Sequence, residues 1–303
     1  MNQKTVIIIA GPTASGKTTL AIELAKHFRT EIISADSRQC YTEMNIGVAK
    51  PSPGQLRAVK HHFIHSHSIH ENVNAGTFEQ YALHAAEAIF KDRSTVIMAG
   101  GTGLYIKAFC EGLDEMPAID PSLRRQIVDQ YNSRGLEWLQ QEIKEKDPVY
   151  YASGEILNPQ RLLRALEVKL STGLSIRDFQ RRQPAPRDFR TLKMVIDLPK
   201  EQLRLNINNR VDQMMEQGLL EEARSLLPFR ELNALQTVGY TELFEYMDGK
   251  LTLDEAVEQI KSNTRKYARR QLTWFRKDPA MRWIAGADPE QWIPLVSSLV
   301  SQP

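Results

Sequence analysis

Gly11-Pro-Thr-Ala-Ser-Gly-Lys-Thr18 follows the apolar run Val6–Ala10 and opens the helical pattern Lys17–His27. The octapeptide matches the phosphate-loop pattern G-x-x-x-x-G-K-[ST] at each fixed position. Its glycines allow a tight turn whose N–H groups point at phosphate oxygens, and the helix that follows adds a positive N-terminal dipole. The stretch therefore predicts a phosphate-binding turn between a strand and a helix of an α/β domain.

The side chains of this loop suit an anion and a divalent cation. Lys17 supplies a positive charge, Thr18 offers a hydroxyl to Mg²⁺, and Thr13 and Ser15 are further donors. The expected anion-binding set is Gly11, Pro12, Thr13, Ala14, Ser15, Gly16, Lys17 and Thr18. Mg²⁺ is the expected cofactor, with Thr18 as its protein ligand. The loop alone leaves open whether phosphoryl transfer follows.

Bulk composition is that of an ordinary globular chain: 303 residues, of which 42% are hydrophobic and 25% charged. The two cysteines, Cys40 and Cys110, are too few for a disulfide framework, so we expect a reducing compartment, the cytoplasm. Val6–Ala10 is too short for a signal peptide or a membrane span, and no membrane partner is expected. No heptad stretch indicates an interface, so we expect a monomer.

Strands alternate with helical segments in the first third of the chain, which is an α/β pattern. Further strands are predicted at Glu31–Ser34, Thr95–Ala99 and Met194–Leu198, with a helix at Phe78–Phe90. After Asp114, prolines separate charged segments of helical period, and helices are predicted at Leu123–Tyr131, Gly135–Glu145 and Gln160–Ser171. We predict a P-loop NTPase-like parallel sheet core (1–113), a helical insertion (114–190), and a return to the core with C-terminal helices (191–303).

Two further segments follow predicted strands, where a doubly wound sheet places its functional groups. Ser34-Ala-Asp36-Ser37-Arg38-Gln39 follows the second strand. Asp36 could hold Mg²⁺ through water, act as a general base, or cap a turn. The third strand ends in Gly100-Gly-Thr-Gly-Leu-Tyr105, where Thr102 could face a ligand or serve as a helix N-cap.

Positive charge is concentrated in two segments. Gln160–Lys193 carries nine Lys/Arg against three Asp/Glu, and Lys261–Lys277 carries seven Lys/Arg and no acid. Such segments indicate a polyanionic partner, although a solvated helix face is the plainer interpretation of each.

Five motifs in order, GPTASGKT, DSRQ, GGTGLY, NPQRLLRALE and QTVGY, resemble those of the tRNA dimethylallyltransferases, in their shorter bacterial type. The resemblance extends from about Val6 to about Trp283. It implies that the loop holds the diphosphate of dimethylallyl diphosphate. It also implies transfer of the prenyl group to N6 of the adenosine 3′-adjacent to the anticodon in tRNA, with release of diphosphate.

The resemblance assigns catalytic roles to four residues. Asp36 becomes the general base, Lys17 and Arg210 neutralise the diphosphate, and Thr102 lies near the reacting carbon. Arg210 belongs to the helical stretch Arg204–Gln217 and would otherwise be read as a solvated charge. Three positions depart from the family pattern: Asn206, Thr241 and Val48. Asn206 stands where many members have arginine and predicts a less charged diphosphate clamp, and Thr241 stands where a basic residue is common.

The resemblance also implies a tRNA-binding set, in which the insertion grips the anticodon stem-loop. The expected residues are Asp36, Ser37, Arg38, Gln39, Thr102, Arg124, Gln160, Arg161, Leu162, Leu163, Arg164, Gln236, Thr237, Val238, Gly239 and Tyr240.

Three other activities fit parts of the pattern. A P-loop small-molecule kinase would use the same loop and an acid after the second strand, but gives the basic insertion no role. A prenyltransferase acting on free adenine nucleotides, or an RNA-binding protein switched by a nucleotide, also remains an alternative.

Overall fold

The structure of the protein, a computed structural model, describes residues 3–180 and 183–302. Over these residues a single sheet of parallel strands has the order β3-β2-β4-β1-β5-β6. Its strands are β1 Thr5–Ala10, β2 Ile32–Ser34, β3 His61–His62, β4 Thr95–Gly100, β5 Arg190–Asp197 and β6 Arg282–Ala285. The four predicted strands are confirmed. β3 and β6 were not predicted, because they are short and lack a continuous apolar run.

The first group of helices surrounds the strands up to β4: α1 Lys17–His27, α2 Pro53–Ala58, α3 Ala75–Phe90 and α4 Gly103–Glu111. Three helices follow before β5: α5 Pro121–Lys146, α6 Pro148–Ser153 and α7 Pro159–Thr172. The remaining helices are α8 Lys200–Glu216, α9 Leu219–Leu226, α10 Tyr240–Met247, α11 Leu253–Phe275 and α12 Pro289–Ser301, and short 3-10 helices span Ile176–Phe179, Leu227–Phe229 and Asn233–Leu235.

The sheet is buried on both faces, as parallel sheets generally are. Side chains of β1 alternate between two apolar clusters: Val6 and Ile8 belong to one, Ile7 and Ile9 to the other. All four are fully buried. This double burial explains why β1 reads as a continuous apolar run rather than an alternating one.

The chain divides into two compact units. One consists of the residues up to Gly112 together with those from Pro186 onward, and the other is Leu113–Ala185. The predicted insertion, 114–190, overlaps the second unit and extends to the residue at which β5 begins.

The second unit has its own apolar core, formed mainly between α5 and α7. Gly135 interrupts α5 with φ 78°, a left-handed conformation that glycine adopts without strain, so α5 consists of two helical pieces as predicted. No helix among the described residues is long and apolar enough to cross a membrane.

Candidate active site

Two glycine-rich turns lie side by side at the carboxyl edge of the sheet. Strands β1 and β4 are neighbours in register, with Ala10 opposite Gly100, so the turns that follow them begin at the same level. A Cβ at Gly100 would lie 2.1 Å from the carbonyl oxygen of Ala35, which leaves no room for a side chain. The turn therefore needs glycine to pack beside the segment that carries Asp36.

The phosphate loop has the conformation of an anion cradle. Gly16, with φ 89°, is the N-cap of α1 and provides no side-chain cap, so the helix N-terminus is left open. Among the described residues we find no acceptor for the N–H groups of residues 14–18. The Ser15 hydroxyl is buried and also lacks a partner. Unsatisfied donors that converge on one turn are the groups that bind phosphate oxygens.

Lys17 and Arg210 bring two half-buried cations to this loop. The Lys17 ammonium donates to the carbonyl of Pro12 at 2.6 Å, and the Arg210 guanidinium donates to the Thr13 hydroxyl at 3.3 Å. Burial, together with the charge of Arg210, lowers the pKa of Lys17 to about 7, while the nearby Asp36 charge opposes that shift. Burial also lowers the pKa of Arg210. Two partly desolvated cations beside one loop form a strong site for a dianion or trianion.

Helices α8 and α11 hold the loop from outside through two neutral amides. Asn206 donates to the carbonyl of Ala14 at 3.1 Å. Gln271 accepts from the Thr13 N–H at 3.0 Å and donates to the carbonyl of Gly101 at 3.0 Å. Asn206, expected to weaken the clamp by lacking a charge, thus contributes a direct hydrogen bond to the loop.

Asp36 stabilises a turn and also faces the site. Its Oδ1 accepts the N–H groups of Arg38 and Gln39 at 2.9 and 3.3 Å. No described residue donates a hydrogen bond to Oδ2, which leaves that oxygen free for an acceptor substrate. The turn and catalytic interpretations are therefore compatible, because they use different oxygens of one carboxylate.

Thr102 is the residue before α4, but its side chain does not cap that helix. Instead its Oγ1 accepts the N–H of Ser37 at 3.1 Å, which joins the second glycine turn to the Asp36 segment. Tyr267 of α11 lies beside Thr102, and burial raises the pKa of its hydroxyl to about 12. Tyr267 thus stays a neutral hydrogen-bonding group beside Asp36.

One cavity of about 760 Å³ is lined by Lys17, Asp36, Arg210, Tyr267 and Gln271 and also by Ser37, Arg38 and Gln39. Thr102 lies next to the lining residue Gly101 and is not itself part of the cavity lining. The Gln39 amide donates to the carbonyls of Val48 and Ala49 at 3.2 and 3.0 Å, which fixes the opposite wall. The cavity has room for a diphosphate ester together with a nucleobase.

The QTVGY motif forms part of that wall. Gln236, Thr237, Val238 and Gly239 line the cavity, as does Thr241, whose hydroxyl donates to Glu242 at 2.9 Å. Tyr240 is fully buried and its hydroxyl donates to Glu222 at 2.6 Å. Glu222 also accepts the N–H groups of residues 45–47. Tyr240 therefore stabilises the cavity wall from the protein interior, and its side chain cannot contact RNA in this structure.

The candidate tRNA contacts of the insertion divide into exposed and buried residues. Gln160, Arg161 and Arg124 are exposed, whereas Leu162 and Leu163 are buried in the core of this unit. The leucines can therefore act only by holding α7. Arg161 pairs with Glu155 at 2.6 Å.

Arg124 and Arg164 share one buried carboxylate. Both pair with Glu167, at 3.4 and 3.3 Å, and the Glu167 side chain is 2% exposed. Arg164 also donates to the carbonyl of Pro117 at 3.5 Å. These arginines help to hold α5 and α7 together, and their exposed faces remain free for an anion.

Several basic residues of the segment Gln160–Lys193, which predicted a polyanionic partner, form ion pairs or hydrogen bonds within the protein. Arg187 pairs with Glu79, Lys193 pairs with Asp278, and Arg190 donates to the backbone near the C-terminal end of α12. Arg181 and Arg182 lie outside the described residues. The charge count of the segment Gln160–Lys193 therefore overstates its free positive surface.

No role for Gln271 or Glu222 was predicted from the sequence. The signal for Gln271 was its spacing: it falls between Ala268 and Phe275 on the buried face of α11, where a polar residue needs a partner.

Comparison with known proteins identifies relatives over nearly the whole chain. A sequence profile of the family described as "IPP transferase" matches residues 39–278. The "tRNA dimethylallyltransferase" of Christiangramia forsetii is 47% identical over 279 residues, 92% of each chain. "tRNA dimethylallyltransferase 1" of Bacteroides fragilis is 42% identical and covers 99% of this chain and 98% of its own.

Solved structures agree with these relatives. The tRNA isopentenylpyrophosphate transferase of Bacillus halodurans superposes with a TM-score of 0.72 at 32% identity, covering 99% of this chain and 96% of its own. A eukaryotic dimethylallyltransferase described as acting on tRNA superposes with a TM-score of 0.79 at 26% identity, covering 98% of this chain and 77% of its own.

Proposed function

Because the chain belongs to the IPP transferase family, we propose that it transfers the dimethylallyl group of dimethylallyl diphosphate to N6 of the adenosine 3′-adjacent to the anticodon in tRNA, releasing diphosphate. One observation supports this most directly. Lys17 and Arg210 lie half-buried beside a loop of unsatisfied N–H groups, in the same cavity as Asp36. The transfer requires a site that binds the departing diphosphate and a group that accepts a proton, and this cavity contains both.

The donor binds with its diphosphate in the phosphate loop. The N–H groups of residues 14–18, the Ser15 hydroxyl, Lys17 and Arg210 surround the oxygens on which charge develops as the carbon–oxygen bond breaks. Donors held in place before the reaction stabilise that charge without reorganising. The allylic carbon shares its positive charge with the neighbouring double bond.

The acceptor adenine binds beside Asp36 and Thr102. Its N6 lone pair attacks the allylic carbon while the bond from that carbon to the diphosphate oxygen breaks, and Asp36 Oδ2 takes the N6 proton. Hydrogen bonds to Oδ1 from the backbone of Arg38 and Gln39 hold the carboxylate in position. The positive charge that N6 gains is removed when its proton passes to Asp36. The electron pair of the broken carbon–oxygen bond stays on the diphosphate.

Mg²⁺ fits the donor set, since hydroxyl, carboxylate and phosphate oxygens are the hard ligands it prefers and it keeps several waters of its own. The orphaned Ser15 hydroxyl and the open N-terminus of α1 point to a polyanion at this place, which would supply the remaining oxygens. Thr18 would hold the ion, with Asp36 within reach through water. When bound, Mg²⁺ neutralises part of the charge on the departing diphosphate.

Extracting the adenine from its stack costs a few kcal/mol, which contacts to the surrounding RNA must offset. The exposed faces of Arg124, Arg161 and Arg164 in the insertion are suited to the backbone of the anticodon stem-loop. We propose that the enzyme works in the cytoplasm, where unmodified tRNA is found, and as a monomer.

The test mixes the purified protein, Mg²⁺ and dimethylallyl diphosphate with an unmodified tRNA that carries adenosine after its anticodon. The RNA is digested and its nucleosides are weighed. We expect one prenylated adenosine per tRNA, and none when that adenosine is replaced by guanosine. Product on the guanosine control, or transfer of phosphate from ATP to a small acceptor in its place, would overturn the proposal.

A further inference from the structure

Gln271 connects the two halves of the active site with a single side chain. It is 6% exposed and lies on α11, 258 residues from the phosphate loop and 170 from the second glycine turn. Its Oε1 accepts the Thr13 N–H at 3.0 Å, and its Nε2 donates to the Gly101 carbonyl at 3.0 Å. Both polar atoms of the amide are therefore used within the site.

Two glycines of the second glycine-rich turn, Gly101 and Gly103, lie so close to α11 that neither position has room for a side chain. A Cβ at Gly101 would lie 2.1 Å from Gln271 Nε2, and a Cβ at Gly103 would lie 2.1 Å from the Trp274 ring. Helix α11 thus packs directly on the backbone of the second glycine turn. The close approach leaves the Gln271 amide little freedom to move away from its two partners.

The hydrogen bond to Thr13 changes what the phosphate loop offers. The N–H groups of residues 14–18 have no acceptor among the described residues, whereas the Thr13 N–H is already satisfied. Pro12 has no N–H to offer. The loop therefore presents five backbone donors. The next N–H toward the N-terminus, that of Thr13, is hydrogen-bonded to Gln271 and is not available to an anion.

We infer that Gln271 is a positioning residue that limits the phosphate loop to a diphosphate and holds it in register with the Gly101–Thr102 turn, where the acceptor binds. The inference rests on the proposed prenyl transfer and specifies how its two substrates are positioned. A third phosphate would need donors beyond those that a diphosphate uses, and the Thr13 amide is the next in line. Through Gly101, the same side chain links the loop to Thr102, whose Oγ1 accepts the N–H of Ser37 beside Asp36.

The side chain has to be neutral and able to donate and accept at once. Gln271→Leu removes both hydrogen bonds and frees the Thr13 N–H. Gln271→Glu keeps the shape and the bond from Thr13, but sets a carboxylate oxygen against the Gly101 carbonyl and adds negative charge beside the anion site. The matched control is Gln259→Glu, which makes the same charge change at an exposed position on the same helix. It lies twelve residues earlier, about 18 Å along the helix axis.

The experiment measures kcat and KM for both substrates, and inhibition by pyrophosphate and by tripolyphosphate, in the wild type and the three variants. We expect kcat to fall roughly 10- to 100-fold in Gln271→Leu, with KM for tRNA unchanged, because misplacing the reactants affects the reaction more than binding. We also expect the wild type's preference for pyrophosphate over tripolyphosphate to shrink by about 10-fold in Gln271→Leu, because one good donor is gained by the longer anion. Gln271→Glu should weaken binding of both anions, and Gln259→Glu should match the wild type.

The inhibitor preference separates a positioning role from general damage, since partial unfolding lowers the active fraction without changing the ratio of two inhibition constants. An unchanged ratio together with kcat within two-fold of the wild type in Gln271→Leu would overturn the inference. Should Gln271→Leu fail to fold, Gln271→Glu decides: wild-type kcat and anion binding in that variant would overturn it equally. If the wild type makes no prenylated tRNA, the proposed function has failed, while anion preference measured by calorimetry still tests Gln271.

Discussion

The cavity at the edge of the sheet and the helical insertion both collect basic side chains, but they hold them in opposite ways. In the cavity, Lys17 and Arg210 are half-buried, donate hydrogen bonds to neutral oxygens, and lie near the Asp36 charge, and the charge of Arg210 lowers the pKa of Lys17. In the insertion, Arg124 and Arg161 are exposed and are paired with carboxylates. The first arrangement is costly until an anion binds, whereas the second is stable without one.

This difference separates binding for chemistry from binding for recognition. A cation that is partly shielded from solvent and forms no ion pair acts strongly on one small ligand, because less solvent screens it. An exposed, paired arginine contributes little on its own and exchanges one anionic partner for another. We therefore expect single substitutions to have large effects in the cavity and small effects in the insertion.

The largest effect is expected at Asp36. Asp36→Asn keeps an oxygen for the N–H groups of Arg38 and Gln39 but removes the proton acceptor, so transfer should fall by roughly 10³-fold. Single-turnover formation of prenylated adenosine measures the rate, and filter binding measures tRNA affinity, which should stay within two-fold. Full activity of Asp36→Asn would remove the general base from the mechanism.

Next in size is Lys17→Met, which should weaken pyrophosphate binding by roughly 10- to 100-fold. The wild type should also take up a proton on binding above pH 7. The pKa of Lys17 is about 7 in the free protein, and a bound anion raises it, so the lysine gains a proton between those two values.

Calorimetry in buffers of different ionisation enthalpy measures this uptake, which should vanish near pH 5 because Lys17 is then already charged. Lys26→Met is the control, since Lys26 lies on the same helix and is exposed and paired with Glu23. Equal proton uptake in Lys17→Met and the wild type would show that the cavity cations are not the titrating groups.

Glu167 lies between the two arrangements, because its buried carboxylate pairs with the exposed Arg124 and the partly exposed Arg164. Glu167→Gln should lower the free energy of local opening of α7 by roughly 1–2 kcal/mol, an amount reduced by the solvent exposure of Arg124 and Arg164. Hydrogen exchange of α7 peptides measures the change. Glu155→Gln, at the exposed pair with Arg161, is the control and should change it by less than about 0.5 kcal/mol.

The smallest effect is expected from Arg161→Ala. Affinity for tRNA should fall by no more than about three-fold, and the slope of log affinity against log salt concentration should decrease by about one. Glu155→Gln should strengthen tRNA binding slightly, because it frees the arginine. A loss of 100-fold in Arg161→Ala would break the contrast, since the insertion would then hold a contact as strong as those of the cavity.

The parts of this molecule that were predicted from sequence are those with local signals. The strand–turn–helix from Thr5 to His27 combines an apolar run, glycines and a helical period within one continuous segment. Asp36 and Thr102 were found because they directly follow strands that share an edge of the sheet. Arg210 was found only through the family resemblance, because nothing in its own helix distinguishes it.

The parts that were missed depend on contacts between distant segments. Gln271 meets Thr13 across 258 residues, and Glu222 meets Ile46 across 176 residues. Neither pairing leaves a pattern in a single sequence. Tyr240 sits inside a motif whose neighbours line the cavity, and only packing reveals that its ring lies behind Gly47.

The division of the first unit into two stretches of chain has a consequence for synthesis on the ribosome. The phosphate loop is synthesised well before α11, because Gln271 follows Thr13 by 258 residues. At roughly 5–20 residues per second, the loop waits about 10–50 s for the helix that satisfies Thr13. During that interval the Thr13 N–H lacks its Gln271 acceptor, so the two glycine-rich turns can be joined through Gln271 only after α11 has been made.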